Sequence, residues 1–184
     1  MPGQCVGVEE LATERYKERS IGNSGMWRMA VGGEESQAKP VRIYADVVCD
    51  LFHYGHVAFF RQARALGDWL IVGVVGDQDV LSYKPAPVMT HAERVAVVRG
   101  CRFVDHVLDD PAPLHCTAAF LDEIGADFCC HGDDMTAEEL GHWYGDLIPA
   151  GRLKLVRYTP EISSRQIVDR LARRLAEGSL GRRP

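Results

Sequence analysis

The chain has 184 residues, enough for one domain with a full hydrophobic core but not for two ordinary domains and a linker. Hydrophobic residues make up 46% and charged residues 26%, which excludes a disordered or fibrous chain. The net charge of -5 argues against a nucleic-acid binder, whose contact face is normally basic.

Any phosphate chemistry must therefore rest on a few local cations. The six cysteines, Cys5, Cys49, Cys101, Cys116, Cys129 and Cys130, form no CxxC pair, and several lie in apolar runs, so they are expected to be reduced core residues of a cytoplasmic protein. No apolar run approaches the ~18 residues of a membrane span, and the N-terminus lacks the apolar core of a signal peptide.

Residues 1–39 read as a polar N-terminal extension, expected to be partly mobile, with Met26 to Val31 as an apolar island and Glu9 to Arg19 as a possible charged helix. The domain proper is expected over 40–177, where short apolar runs alternate with helix-like stretches. Val41 to Val48 is a predicted strand. Gly55 to Leu66, with Val57, Phe60, Ala63, Ala65 and Leu66 near helical spacing, is a predicted helix ended by Gly67-Asp68. Trp69 to Val75 is almost continuously apolar, as in a strand buried on both faces of a parallel sheet.

A turn-rich loop from Gly76 to Val88, with Pro85 and Pro87, leads to Thr90 and Glu93, a T-x-x-E capping box that starts a helix running to Gly100. Phe103 to Leu108 is the predicted third strand, Leu114 to Ile124 the next helix and Ala126 to His131 the fourth strand. Glu138 to Ile148 reads as helix and Leu153 to Tyr158 as the fifth strand. Ser163 with Gln166 caps a last helix to about Ala176, and 178–184 is a polar tail.

Five strands alternating with helices over short connections predict an α/β fold: a Rossmann-like, doubly wound, five-stranded parallel sheet in a single domain. Ligands bind such sheets at the carboxyl ends of the strands. The chemistry-bearing residues fall there. His53-Tyr54-Gly55-His56 follows the first strand, Lys84 the second, His131-Gly132-Asp133-Asp134 the fourth and Ser163-Ser164 the fifth.

In an H-x-G-H turn the glycine lets the backbone approach a ligand, and two imidazoles can converge on an anion beside a helix N-terminus. Phosphoryl transfer needs such positioned donors, because its transition state spreads charge over non-bridging oxygens. Ordinary turn histidines or a zinc site are the alternatives for these four residues. Lys84 suits a phosphate clamp or a solvated surface, and Arg94 reads as a helix charge. His131-Gly132-Asp133-Asp134 can read a base or ribose or hold a metal, and Asp133 and Asp134 equally suit solvated turn formers or a helix N-cap. Ser163-Ser164 offers a second phosphate site or simple capping. Cys129-Cys130-His131 is rejected as a metal site, because neighbouring strand residues point to opposite faces.

Taken together, Tyr44-Ala45-Asp46, Cys49 to His56, Arg61 to Asp68, Leu70 to Val74, Pro87 to Arg94, Val104-Asp105-His106-Val107, His131 to Asp134 and Ile162-Ser163-Ser164 resemble the cytidylyltransferase family, most closely its ethanolamine-phosphate and choline-phosphate members. The resemblance implies transfer of CMP from CTP to a small phosphorylated alcohol, with magnesium held mainly by the triphosphate and pyrophosphate released. It implies catalytic roles for His53, His56 and Lys84. It places Val48, Cys49, Asp50, Gly55, Arg94, His131, Gly132, Asp133, Ile162, Ser163 and Ser164 around the nucleotide, and Asp46 and Tyr158 near the acceptor. No protein-bound metal, nucleic acid or membrane span is implied. A homodimer is, through the Val104–Val107 segment.

The chain departs from the family pattern at Val47, where glycine is usual, and in Tyr158-Thr159-Pro160-Glu161-Ile162-Ser163-Ser164 against R-T-E-G-I-S-T. Tyrosine stands at the arginine position, and glutamate at the glycine position. Arg157 is next door, but in a strand a one-residue shift turns a side chain to the other face. A remodelled acceptor side of this kind would tolerate a phosphonate such as hydroxyethyl- or aminoethylphosphonate. An adenylyltransferase of the same superfamily and a catalytically weak nucleotide-binding regulator are the other readings.

Overall fold

The computed structural model describes residues 39–181; residues 1–38 of the expected N-terminal extension and the last three residues of the tail lie outside them. In chain order the elements are β1 (Arg42–Val47), α1 (Tyr54–Arg64), β2 (Trp69–Val74), α2 (Asp77–Leu81), α3 (His91–Arg99), β3 (His106–Val107), α4 (Ala118–Glu123), β4 (Phe128–Gly132), α5 (Ala137–Tyr144), β5 (Leu153–Val156) and α6 (Ser164–Ala176). The five strands form one parallel sheet in the order β3-β2-β1-β4-β5. The chain winds outward from β1 to β3, then returns to β4 on the other side of β1. The strand order therefore reverses between β1 and β4, and a ligand crevice is expected at their carboxyl ends.

Strand alternation divides the core into two halves. Ile43, Ala45, Leu70, Val72, Val74 and Cys130 pack with Phe60 and Ala63 of α1 and with Val95 and Val98 of α3. Tyr44, Ile71 and Cys129 point the other way and pack with Leu121 of α4 and Tyr144 of α5. Helices thus cover both faces, as the near-continuous apolar strands require.

Several boundaries differ from the sequence expectation, each for a local reason. Strand β3 shrinks to two residues, because the Asp105 carboxylate takes the Leu70 N–H and also pairs with Arg64. Helix α2 occupies part of the expected loop. Helix α4 starts later than Leu114, where the Thr117 hydroxyl caps it. Helix α5 opens on a Thr136/Glu139 capping box, the same signal as Thr90/Glu93, and ends before Gly145. Strand β5 stops at Val156, since the Tyr158 N–H donates to Asp133 and not to a ladder partner.

Candidate active site

The turn from β1 into α1 builds the centre of the site. His53 is the N-cap of α1, with extended backbone (φ -137°, ψ 174°), so the helix opens at Tyr54, one residue before the expected Gly55. Its Nδ1 accepts the Gly55 N–H at 3.2 Å, while the Nδ1 of His56 accepts the His53 N–H at 3.2 Å. The two rings stack at 3.9 Å between centroids. This is a capping box made of two histidines, in the places a Thr and a Glu would ordinarily fill. A nitrogen that accepts a backbone N–H carries no proton, so each neutral ring holds its proton on Nε2 and presents one N–H donor.

Burial pushes both imidazoles below the usual histidine range. For His56, burial and the neighbouring His53 charge lower the pKa to about 3. Gly55 is required by the same packing: a Cβ there would lie 3.0 Å from His53 Cε1 and Nδ1 and 3.1 Å from Ile162 Cγ2.

The three residues before this turn are held by contacts from outside it. Cys49 and Leu51 adopt left-handed φ values of 55° and 48°, which cost on the order of 1 kcal/mol each and persist only where the surroundings over-determine them. The Asp50 carboxylate accepts the N–H groups of Val88 and Met89, and its carbonyl accepts the Ser164 hydroxyl. The Val48 carbonyl accepts Arg94 Nη1.

At the carboxyl ends of the strands lies a half-open cleft of ≈ 1310 Å³, bordered by Asp46, Val48, Cys49, Asp50, His53, Gly55, His56, Lys84, His131, Gly132, Tyr158, Ile162, Ser163 and Ser164. Two expected residues are not on its lining. Arg94 is fully buried, with its guanidinium donating to the Val48 carbonyl and to Asp77. Asp133 is turned to the Tyr158 N–H at 2.7 Å, and Asp134 takes the cleft position. The adjacent Cys129 and Cys130 enter opposite halves of the core.

The lining also contains residues that the motifs did not mark. Arg157 and Arg165 join Lys84 as cleft cations, and none of the three makes an ion pair within the described residues. Arg157 and Tyr158 both reach the cleft because β5 has ended before them, so strand alternation no longer separates them. The lining also carries an acidic and aromatic set, Asp46, Asp134, Glu138, Tyr83, Trp143 and Tyr144, and the Lys84 ammonium lies 5.3 Å from the centroid of the Tyr83 ring. Asp46 accepts the Tyr144 hydroxyl at 2.9 and 3.1 Å. Burial raises the Asp46 carboxyl above the usual range, opposed by the His131 charge and the Tyr144 hydrogen bond. Tyr83 packs on Trp143 at 5.3 Å, joining the Lys84 loop to α5. Trp143 lies on α5, in a stretch read from the sequence only as helix.

Residues 48–170 match the family model described as Cytidylyltransferase-like. The chain is 38% identical over 134 residues to an ethanolamine-phosphate cytidylyltransferase of Dictyostelium discoideum, covering 72% of this chain and 37% of that protein. It is 39% identical over 165 residues to the Arabidopsis thaliana ethanolamine-phosphate enzyme, covering 87% and 38%. With choline-phosphate cytidylyltransferase 2 of Arabidopsis thaliana it shares 33% identity over 155 residues, covering 82% and 51%. The chain thus spans well under two thirds of the length of these relatives. Among solved structures, a lipopolysaccharide core biosynthesis protein from Thermoplasma volcanium superimposes with a TM-score of 0.54 at 23% identity, over 66% of this chain and 98% of that one. That likeness concerns the fold alone.

Proposed function

This chain belongs to the cytidylyltransferase-like family, and we propose on that premise that it moves CMP from CTP to the phosphate of a small amino alcohol, releasing pyrophosphate. The observation that carries this reading is the convergence on one cleft of two imidazole N–H donors, three cations that make no ion pair within the described residues and the N-terminus of the 13-residue helix α6. A triphosphate satisfies all of them.

In the proposed reaction an acceptor phosphate oxygen attacks the α-phosphorus while the bond to the bridging oxygen of the β-phosphate breaks. That oxygen leaves with pyrophosphate. A phosphate is already a nucleophile, so no side chain has to remove a proton. The Nε2–H groups of His53 and His56 would donate to the α-phosphate oxygens as charge grows on them, and Lys84 would bridge the two substrates. Arg157, Arg165 and the N–H groups at Ser163 and Ser164 would hold the leaving phosphates.

Magnesium would add charge compensation and is assigned mainly to the triphosphate. Both oxygens of the Asp50 carboxylate are already engaged by backbone N–H groups, and no convergent set of three His, Cys, Asp or Glu exists among the described residues.

The acidic and aromatic set suits a cationic head group, since carboxylates and ring faces both attract an ammonium. Phosphoethanolamine and phosphocholine fit that description, and these are the substrates for which the relatives are named. Tyr158 on the lining, at the family's arginine position, favours a second reading in which the acceptor is a phosphonate. A homodimer through Val104–Val107 belongs to the same proposal; β3, at one edge of the sheet, falls in this segment. No described helix is long and apolar enough to cross a membrane.

The test is a pyrophosphate-release screen of CTP and, separately, ATP against phosphoethanolamine, phosphocholine, glycerol 3-phosphate, aminoethylphosphonate and hydroxyethylphosphonate. Turnover is expected with CTP and an ammonium-bearing acceptor. Release only with ATP, or with no acceptor at all, would sink the proposal.

A further inference from the structure

Three walls of the cleft meet on one residue, through its carboxylate and its backbone carbonyl. Asp50 accepts the Val88 N–H at 3.0 Å with one carboxylate oxygen and the Met89 N–H at 2.9 Å with the other. Its carbonyl receives the hydroxyl of Ser164, the first residue of α6. It stands between two residues with left-handed backbone, Cys49 and Leu51, and only three positions before His53. A carboxylate whose two oxygens are both engaged by protein N–H groups works here through position.

The connection to Lys84 is short and stiff. Between Lys84 and Val88 the sequence is Pro85-Ala86-Pro87, and each proline ring holds φ near about -65°. With the Val88 and Met89 amides anchored, few free torsions remain to carry Lys84 away from the cleft. At the other end, the Ser164 hydroxyl ties the start of α6, and with it Ser163, to the same turn. An aspartate suits this place better than asparagine, because both oxygens must accept, and an amide would set its NH₂ against a backbone N–H.

We propose that Asp50 is a positioning residue that locks the Lys84 strap and the α6 N-terminus to the histidine turn, so that Lys84, Ser163 and His53 address one triphosphate. Its kinetic consequence rests on the CMP-transfer reading; the anchor itself does not.

The first arm is amide hydrogen exchange of the ligand-free protein. In the wild type, the Val88 and Met89 amides are expected to exchange at least about tenfold more slowly than in an unfolded peptide, the protection of one native hydrogen bond or more. Unprotected amides overturn the proposal without any variant. In Asp50→Asn at least one of the two is expected to lose its protection, and unchanged exchange in a folded Asp50→Asn protein also overturns it.

The second arm is a double-mutant cycle with Lys84→Ala. Each single variant is expected to lower kcat by about tenfold or more. The double variant should fall within about threefold of the worse single, because both remove Lys84 from its place. Loss equal to the product of the two singles would show that Asp50 does not act through Lys84. A wild-type protein with protected amides but no pyrophosphate release would count against the activity and leave the anchor standing.

Discussion

His56 carries a structural and a chemical constraint at once. Its Nδ1 is consumed as the capping acceptor for the His53 N–H, and burial with the His53 charge holds its pKa at about 3. An unfolded chain protonates the same ring near about 6.5. Below that pH the unfolded state binds more protons than the folded one, so folding stability falls with decreasing pH between roughly 6.5 and 3. In His56→Asn, which keeps a short polar side chain at the cap, part of this acid-side slope should disappear. Urea midpoints measured from pH 7 to pH 4 check this. Parallel slopes in the two proteins would mean that His56 titrates normally. The pair itself was legible in the sequence as H-x-G-H after an apolar run. Its role as a capping box was not, since that signal is ordinarily sought as Ser or Thr followed by Glu or Gln. The same habit did find Thr90 and Glu93.

Where an element stops decides which side chains enter the cleft. Period-two alternation over Tyr158 and Arg157 predicted opposite faces for them, and that inference holds only while the strand continues. The β5 ladder ends at Val156; Asp133 captures the Tyr158 N–H and Gln62 donates to the Arg157 carbonyl, so both side chains border the cleft. No local pattern announces such an ending, because the partners Asp133 and Gln62 are distant in sequence. Long apolar runs such as Trp69 to Val75 read correctly for the opposite reason: burial on both faces writes itself into consecutive residues. Arg157 makes no ion pair within the described residues, so its removal should leave the fold intact. A charge-assisted hydrogen bond to phosphate contributes about 1.5–3 kcal/mol. Arg157→Ala is therefore expected to raise KM for CTP by about tenfold or more with no change in melting temperature. An unchanged KM would return the arginine to the solvent.

At the scale of the molecule, the cleft depends on keeping the carboxyl ends of β1 and β2 in register at the edge where two half-cores meet. Hydrophobic packing supplies the sheet and its helices but ends just below the loops, and a polar network takes over there. Arg94, fully buried, donates to the Val48 carbonyl beyond β1 and to Asp77 at the start of α2. His91 contacts the Val74 carbonyl through Nε2 and gives its N–H to Asp77. The sequence marked Arg94 as a nucleotide ligand because it occurs within a family motif, and motif position alone does not tell a contact residue from a support beneath it. Arg94→Met separates these two roles. Removing one partner of a buried pair costs ~3–5 kcal/mol; Asp77 retains 43% of its side-chain exposure and can be resolvated, so ~2–3 kcal/mol is expected. For a domain of this size that corresponds to a fall in melting temperature of roughly 5–10 °C. A support beneath the turn should also lower kcat for every nucleotide through the displaced histidines. If Arg94→Met keeps its melting temperature and only raises KM for CTP, Arg94 binds the nucleotide directly and the network is incidental.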